Sequence, residues 1–268
     1  MTICIAALCD QGKNCIVAAD REITAPGLSL EFDHERKIEA LTSSSVVMAA
    51  GDSLLAAEVI EKTRPLITAK SDNTMRQIAE TLKDVYAQVH LERAESVILR
   101  PRGLTFDEYK QHGAQRMPLQ AYLNIDQQFW TFGIGVVEFI LAGIDSTGAH
   151  IFRVHYSGVN GGSWLEWCDR LGFRAIGSGA MHSAILLSLD GQNRNTSIEQ
   201  ALYNVYSAKK SAEVAPGVGP STDLAVINSS KVDFIPAKTI DKLHVVREEI
   251  MKSRKVDSEK LKGIYETK

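Results

Sequence analysis

The sequence predicts an α+β fold: a four-layer αββα sandwich in which two packed, mainly antiparallel sheets carry helices on both outer faces. Three observations predict it. Strand-like segments come as hairpin runs rather than singly between helices, which argues for antiparallel sheets. Helical segments come in pairs between those runs, enough to cover a sheet face each time. The 268 residues, 44% hydrophobic and 24% charged, can bury a sizeable core, and no linker divides the chain. The expectation is a single domain over residues 1–268.

The elements follow in order. An apolar run from Thr2 to Leu8 meets the turn Asp10-Gln11-Gly12-Lys13-Asn14, and a second run, Cys15 to Ala19, ends at Asp20. This is a hairpin with a hydroxyl at its start and a carboxylate at its far end. A loop then leads through "HERKIEAL" to "SSSVVMAAGDS", where Val46 to Ala50 reads as a strand halted by Gly51, with Asp52 or Ser53 capping a helix. That helix runs from Ser53 to about Ala69 on Leu54, Leu55, Val59, Ile60 and Leu66. A second runs from Asn73 to about Arg93 on Met75, Ile78, Leu82 and Val85.

Residues from about Ala94 to Trp130 mix Pro101, Gly103, Gly113 and Pro118 with one short helix-like stretch, "TFDEYKQH", and read as an inserted excursion. Strands return in "EFILAGID", a turn at Ser146-Thr147-Gly148, "HIFRVHY", a Gly-rich turn over Gly158 to Gly162, and "WLEWCDRLGFRAIGSG". Two helices follow, about Ala180 to Leu189 and Ile198 to Val214. The chain closes with "TDLAVIN", "KVDFIP" and a strongly charged helix and tail from about Thr239 onward, read as a solvated face.

Charge and composition narrow the function. A net charge of −3 gives no basic field for nucleic acid. The longest nearly uncharged stretch, Thr131 to Ile144, is too short to span a bilayer and holds Glu138, so no membrane span is expected. With no basic region and apolar signal core at the start, the expected location is the cytoplasm. Cysteines 4, 9, 15 and 168 form no CxxC pair, and the three in or beside the first hairpin read as small buried hydrophobes, so neither a disulfide framework nor a zinc site is expected. His150 and His155 stand on opposite faces of a strand and read as structural or surface residues. There is no GxxxxGK[ST] phosphate loop and no HExxH zinc motif, and "AIGSGA" is not GxSxG.

What remains is Thr2. A threonine freed as the first residue can attack a carbonyl because its own α-amine, with a pKa of roughly 7.7–8.0, serves as general base. Threonine is small enough for Met1 to be removed ahead of it. On its own, the Met-Thr dipeptide is common and has no catalytic meaning.

Four segments make the pattern specific. "TICIAALCDQGKNCIVAADR", "ERKIEAL", "SVVMAAGDS" and "FRAIGSGA" resemble, in order and approximate spacing, the motifs of proteasome β subunits and their bacterial HslV-like relatives, which are N-terminal-nucleophile hydrolases. The resemblance spans nearly the whole chain, with its main gap at about 94–130. It implies the N-terminal-nucleophile hydrolase fold and a threonine endopeptidase with Thr2 as nucleophile. Asp20 would hold Lys37, and Lys37 would lower the pKa of the threonine hydroxyl and amine by its positive charge. Gly51 would give the oxyanion-hole N–H, a type of donor whose removal costs roughly 10²–10³ in turnover. Ser178 would hydrogen-bond near the threonine amine, and Ala49 would shape the floor of the specificity pocket.

The sequence departs from the family where active subunits carry an aspartate and a serine near the end of the fourth helix. Here the chain reads "KKSAEVAPGVGPSTDLAV", which leaves Glu213 or Ser211 for the acid and Ser221 for the hydroxyl. The partners the resemblance implies are further copies of the chain in a ring and a peptide or unfolded-protein substrate, with an ATP-dependent unfoldase as a partner to be tested. The chemistry needs no metal or organic cofactor. Two other readings stand beside it: a catalytically silent ring scaffold, and an N-terminal-nucleophile amidase acting on small molecules.

Overall fold

In a computed structural model, which describes residues 2–25, 28–31, 36–69, 73–156 and 162–253 (backbone alone over 23–25 and 28–31), strand β1 (Ile3–Cys9) is buried at every position. A strand covered on both faces has no need to alternate, which is why this one reads as a continuous apolar run. A short left-handed turn, with Asp10 at φ 50° and Gln11 at φ 59°, returns the chain into β2 (Asn14–Ala19). The two strands pair antiparallel, Cys4 opposite Ala19 and Ala6 opposite Val17.

Next comes a second, isolated hairpin of β3 (Glu22–Ala25) and β4 (Leu28–Glu31), in a region read from sequence as a loop. β5 (Glu39–Thr42) and β6 (Ser45–Gly51) lead into helix α1 (Ser53–Thr68). Asp52 is the cap, its Oδ1 accepting from Leu54 N at 3.0 Å and Leu55 N at 3.1 Å. Helix α2 (Met75–Ala94) starts at a capping box of Thr74 and Gln77.

The excursion is more helical than its sequence suggests. A π turn (Glu95–Leu99) and a 3₁₀ turn (Arg100–Arg102) lead to α3 (Phe106–Arg116) and α4 (Leu119–Trp130). Gly113, read as a breaker, lies inside α3, where a Cβ would stand 3.0 Å from the Tyr109 ring and 3.2 Å from Tyr122. Its missing side chain lets those two rings stack at 5.2 Å. With Ile98, Leu99, Ile125 and Phe129 they form a small core of the excursion's own.

β7 (Val137–Asp145), β8 (Gly148–Tyr156) and β9 (Ser163–Trp167) complete one sheet, in the order β5-β6-β7-β8-β9. The chain turns at Cys168–Gly172 and enters the other sheet as β10 (Phe173–Gly177), so the stretch "WLEWCDRLGFRAIGSG" divides between two sheets. α5 (Ala180–Leu189), α6 (Ile198–Ala212), β11 (Asp223–Ile227), β12 (Val232–Phe234) and α7 (Ala237–Ser253) follow. The second sheet runs β10-β1-β2-β11-β12, and every pairing in both sheets is antiparallel. Most of the Gly158–Gly162 turn and the charged tail over 254–268 lie outside the described residues.

Period-2 alternation sorts the side chains into three apolar layers. Cys4, Ala6 and Leu8 of β1 meet Met48 of β6 and Ile140 of β7 between the sheets. Ile3, Ile5 and Ala7 face α5 and α6. Phe139, Leu141 and Phe152 face α1 and α2. The molecule is therefore α+β, with two antiparallel five-stranded sheets against each other and helices packed on their outer faces.

Candidate active site

The site forms where β1 begins and β2 ends. Pairing of these strands puts Asp20 beside Thr2, and the Asp20 carboxylate is fully buried. Burying a carboxylate is expensive unless donors surround it. Here Oδ1 accepts from the Thr2 hydroxyl at 2.5 Å, Ile3 N at 3.0 Å and Lys37 Nζ at 2.7 Å. Oδ2 accepts from Glu22 N at 3.3 Å and Gly219 N at 3.1 Å.

Lys37 reaches the same point from the segment ahead of β5. Its three ammonium hydrogens have three acceptors: Thr2 Oγ1, Asp20 Oδ1 and, at 2.5 Å, the Glu22 carbonyl oxygen. The lysine is held in place by its neighbours. Arg36 stacks on the Phe234 ring, 4.2 Å from its centroid, and lies 3.8 Å from Asp223, which also pairs with Arg21 at 2.7 Å. The threonine hydroxyl thus donates to a carboxylate while its oxygen accepts from an ammonium, so the oxygen is polarised and a cation stands ready for negative charge on it.

Two glycines let backbone crowd this point. At Gly177 φ is +95°, and a Cβ would stand 2.2 Å from the Thr2 carbonyl oxygen. At Gly51 φ is +123°, and a Cβ would stand 2.0 Å from the Val136 carbonyl oxygen. Both positions require glycine on conformation and on space. Thr2, Gly51 and Ser178 line one open cleft of about 720 Å³, whose walls include Glu138, Arg153, Arg174 and Met181. Arg153 is paired with Glu138 at 2.7 Å and Glu166 at 2.9 Å, so these wall charges are largely matched. A larger cavity of about 940 Å³ lies at the other end of the strands, around His150, Asp145 and Asp169, away from Thr2.

The residues singled out from sequence therefore divide. Thr2, Asp20 and Lys37 form one hydrogen-bonded cluster, and Gly51 shares its cleft. Ser178 is adjacent, its hydroxyl between the Thr2 carbonyl oxygen at 3.4 Å and the Pro216 carbonyl oxygen at 3.1 Å. Glu213 turns away, pairing with Lys209 at 2.6 Å and Lys210 at 2.7 Å. Among the described residues, neither Ser211 nor Ser221 hydrogen-bonds Thr2. Ala49 packs on the α1–α2 side and is not in the lining of the cleft. Met1 lies outside the described residues.

Sequence reasoning missed Gly177, Gly219, Pro216 and Glu22. The last three act through backbone groups, and only the glycine pairs of "GSG" and "GVG" hint at close backbone approach. Cys4, next to the cluster, is no rival nucleophile: burial pushes its thiol up to about 12, against the pull of Lys37. Among the described residues no group of three His, Cys, Asp or Glu is placed to share a metal ion, and no helix is long and apolar enough to cross a membrane. No protein-family model matches the chain, and no curated protein matches it either.

Proposed function

We propose that the chain is a threonine endopeptidase of the proteasome β type, with the N-terminal-nucleophile hydrolase fold. One observation carries the reading: the Thr2 hydroxyl lies between the Asp20 carboxylate and the Lys37 ammonium, at the wall of an open cleft that also holds Gly51. The four-segment motif series supports it from the sequence side.

With Met1 removed, the Thr2 α-amine takes the hydroxyl proton as Oγ1 attacks the scissile carbonyl carbon. Lys37 stabilises the charge developing on Oγ1, Asp20 fixes Lys37, and the Gly51 N–H receives the tetrahedral oxyanion. Collapse breaks the C–N bond, and the α-ammonium gives its proton to the leaving amine. Water, activated by the same amine, then hydrolyses the ester and restores the threonine. Every atom of this cycle comes from the chain, the peptide and water.

Self-association into a ring belongs to the same proposal. Met181, Ile185 and Leu189, spaced four apart on α5, are 73%, 54% and 78% exposed, an apolar stripe of the kind a second subunit covers. A peptide or unfolded protein is the substrate class, and the cytoplasm is the compartment.

The test is intact mass before and after treatment with a peptide epoxyketone, which needs both the hydroxyl and the free amine of an N-terminal threonine. Loss of Met1 with a single adduct, absent in Thr2→Ala, is the expected result. A purified protein that keeps Met1 and takes no label overturns the proposal in favour of a silent scaffold.

A further inference from the structure

Helix α6 ends beneath the site, and its Lys209 is fully buried. A buried ammonium is tolerated only where each hydrogen finds an acceptor. Lys209 Nζ finds three: Glu213 Oε1 at 2.6 Å, the Gly219 carbonyl oxygen at 2.7 Å and the Pro220 carbonyl oxygen at 3.0 Å. The loop so gripped is the one that touches the cluster. Gly219 N donates to Asp20 Oδ2, and Pro216 offers its carbonyl oxygen to Ser178. Replacing a buried ion pair by an apolar side chain of similar volume is often neutral for stability or better. A lysine here is therefore a costly way to fill the space, and a direct way to aim two carbonyls.

We propose that Lys209 is a positioning residue for the Thr2 site: it fixes the Gly219–Pro220 backbone, which holds the Gly219 amide on Asp20 and so keeps Asp20 and Lys37 aligned with the threonine hydroxyl. This inference rests on the threonine-nucleophile reading. The charged groups around Lys209 are Glu213 and Lys210 of its own helix, Asp20 at the end of β2, and Glu22 beside Gly219. Burial lowers the Lys209 amine to about 8, against the pull of Glu213. The closed loop therefore holds the ammonium at a desolvation cost that its three acceptors offset only in part.

The experiment compares wild type and Lys209→Met as full chains, reading hydrogen exchange over residues 213–222 together with peptide hydrolysis. The expected result is loop exchange about tenfold faster and kcat about tenfold lower, with KM changed by less than about twofold, because the substrate walls are untouched. Glu213→Gln, which keeps Lys209 and both carbonyls, should change kcat by less than about threefold. Should Lys209→Met fail to fold, Lys209→Gln, which keeps a donor but removes the charge and shortens the reach to the Gly219 and Pro220 carbonyls, takes its place with the same two readings and the same expected changes. Loop exchange at the wild-type rate in the variant overturns the proposal. Unchanged kcat in a folded Lys209→Met, whether or not the loop loosens, also overturns it, and Thr2→Ala inactivity then leaves the nucleophile reading standing. Loop loosening in a protein that hydrolyses no peptide even as wild type removes the nucleophile reading and, with it, the positioning role.

Discussion

Gly177 stands against Thr2 so closely that a single added carbon at 177 would lie 2.2 Å from the Thr2 carbonyl oxygen. β10 is the edge strand that closes over β1 at this point, with Ile3 opposite Gly177. Gly177→Ala meets backbone at a φ of +95°, so either β10 or the start of β1 must move. Peptide hydrolysis should fall by about a hundredfold, a displacement of reacting groups by about 1 Å being enough for that. A variant with normal turnover would show that the strand start tolerates the shift.

Asp20→Asn keeps the shape of the side chain and removes its charge. The amide cannot accept from five donors, and Lys37 is left without a counter-charge in a half-buried site. Breaking a buried pair in this way costs roughly 3–5 kcal/mol. Urea unfolding should show that loss alongside lost activity, whereas Lys62→Ala, on the surface, should cost less than about 1 kcal/mol.

His150 makes stability depend on pH. Its hydrogen bond to Asp169 at 2.5 Å, joined by the charges of Asp169 and Asp145, raises its pKa above the ordinary histidine value, against the effect of burial. A raised folded pKa contributes stability that is full below about 6.5, the unfolded value, and is lost as pH rises through the folded one. Urea midpoints should therefore decline above neutrality in wild type, and the decline should be shallower in His150→Gln.

The cysteines should be silent in the native protein. Burial pushes Cys4 and Cys9 up to about 12, Cys168 up to about 11, and Cys15 well above the ordinary thiol value. Ellman's reagent at about pH 8 should titrate the four thiols only after denaturation. Fast inhibition by iodoacetamide would point to a cysteine nucleophile and against Thr2.

Where sequence and structure agree, the agreement has a physical source. β1 and β2 are legible because burial on both faces leaves an unbroken apolar run, and α1, α2, α5 and α6 because each buries one stripe. Thr2, Asp20 and Lys37 are legible because the motif series names them and hairpin pairing then brings the first two together. The β3–β4 hairpin is hidden by its short strands, α4 by the proline before it, and the end of α3 by a glycine that makes room for a ring. The loop over 213–220 was hidden for a different reason. It acts on the site through amide and carbonyl groups, which every residue has, and nothing in the doublet Lys209-Lys210 shows which lysine faces inward.

Asp20 gathers donors from positions 2, 3, 22, 37 and 219. Four of the five are made early in synthesis, and the last is made only when most of the chain has left the ribosome. Closing a loop of that length carries an entropic penalty that the contacts formed afterwards must offset. The cluster therefore cannot be complete before residue 219 has been made. On the proposed function, the hydroxyl gains its full set of partners only after most of the chain has been made.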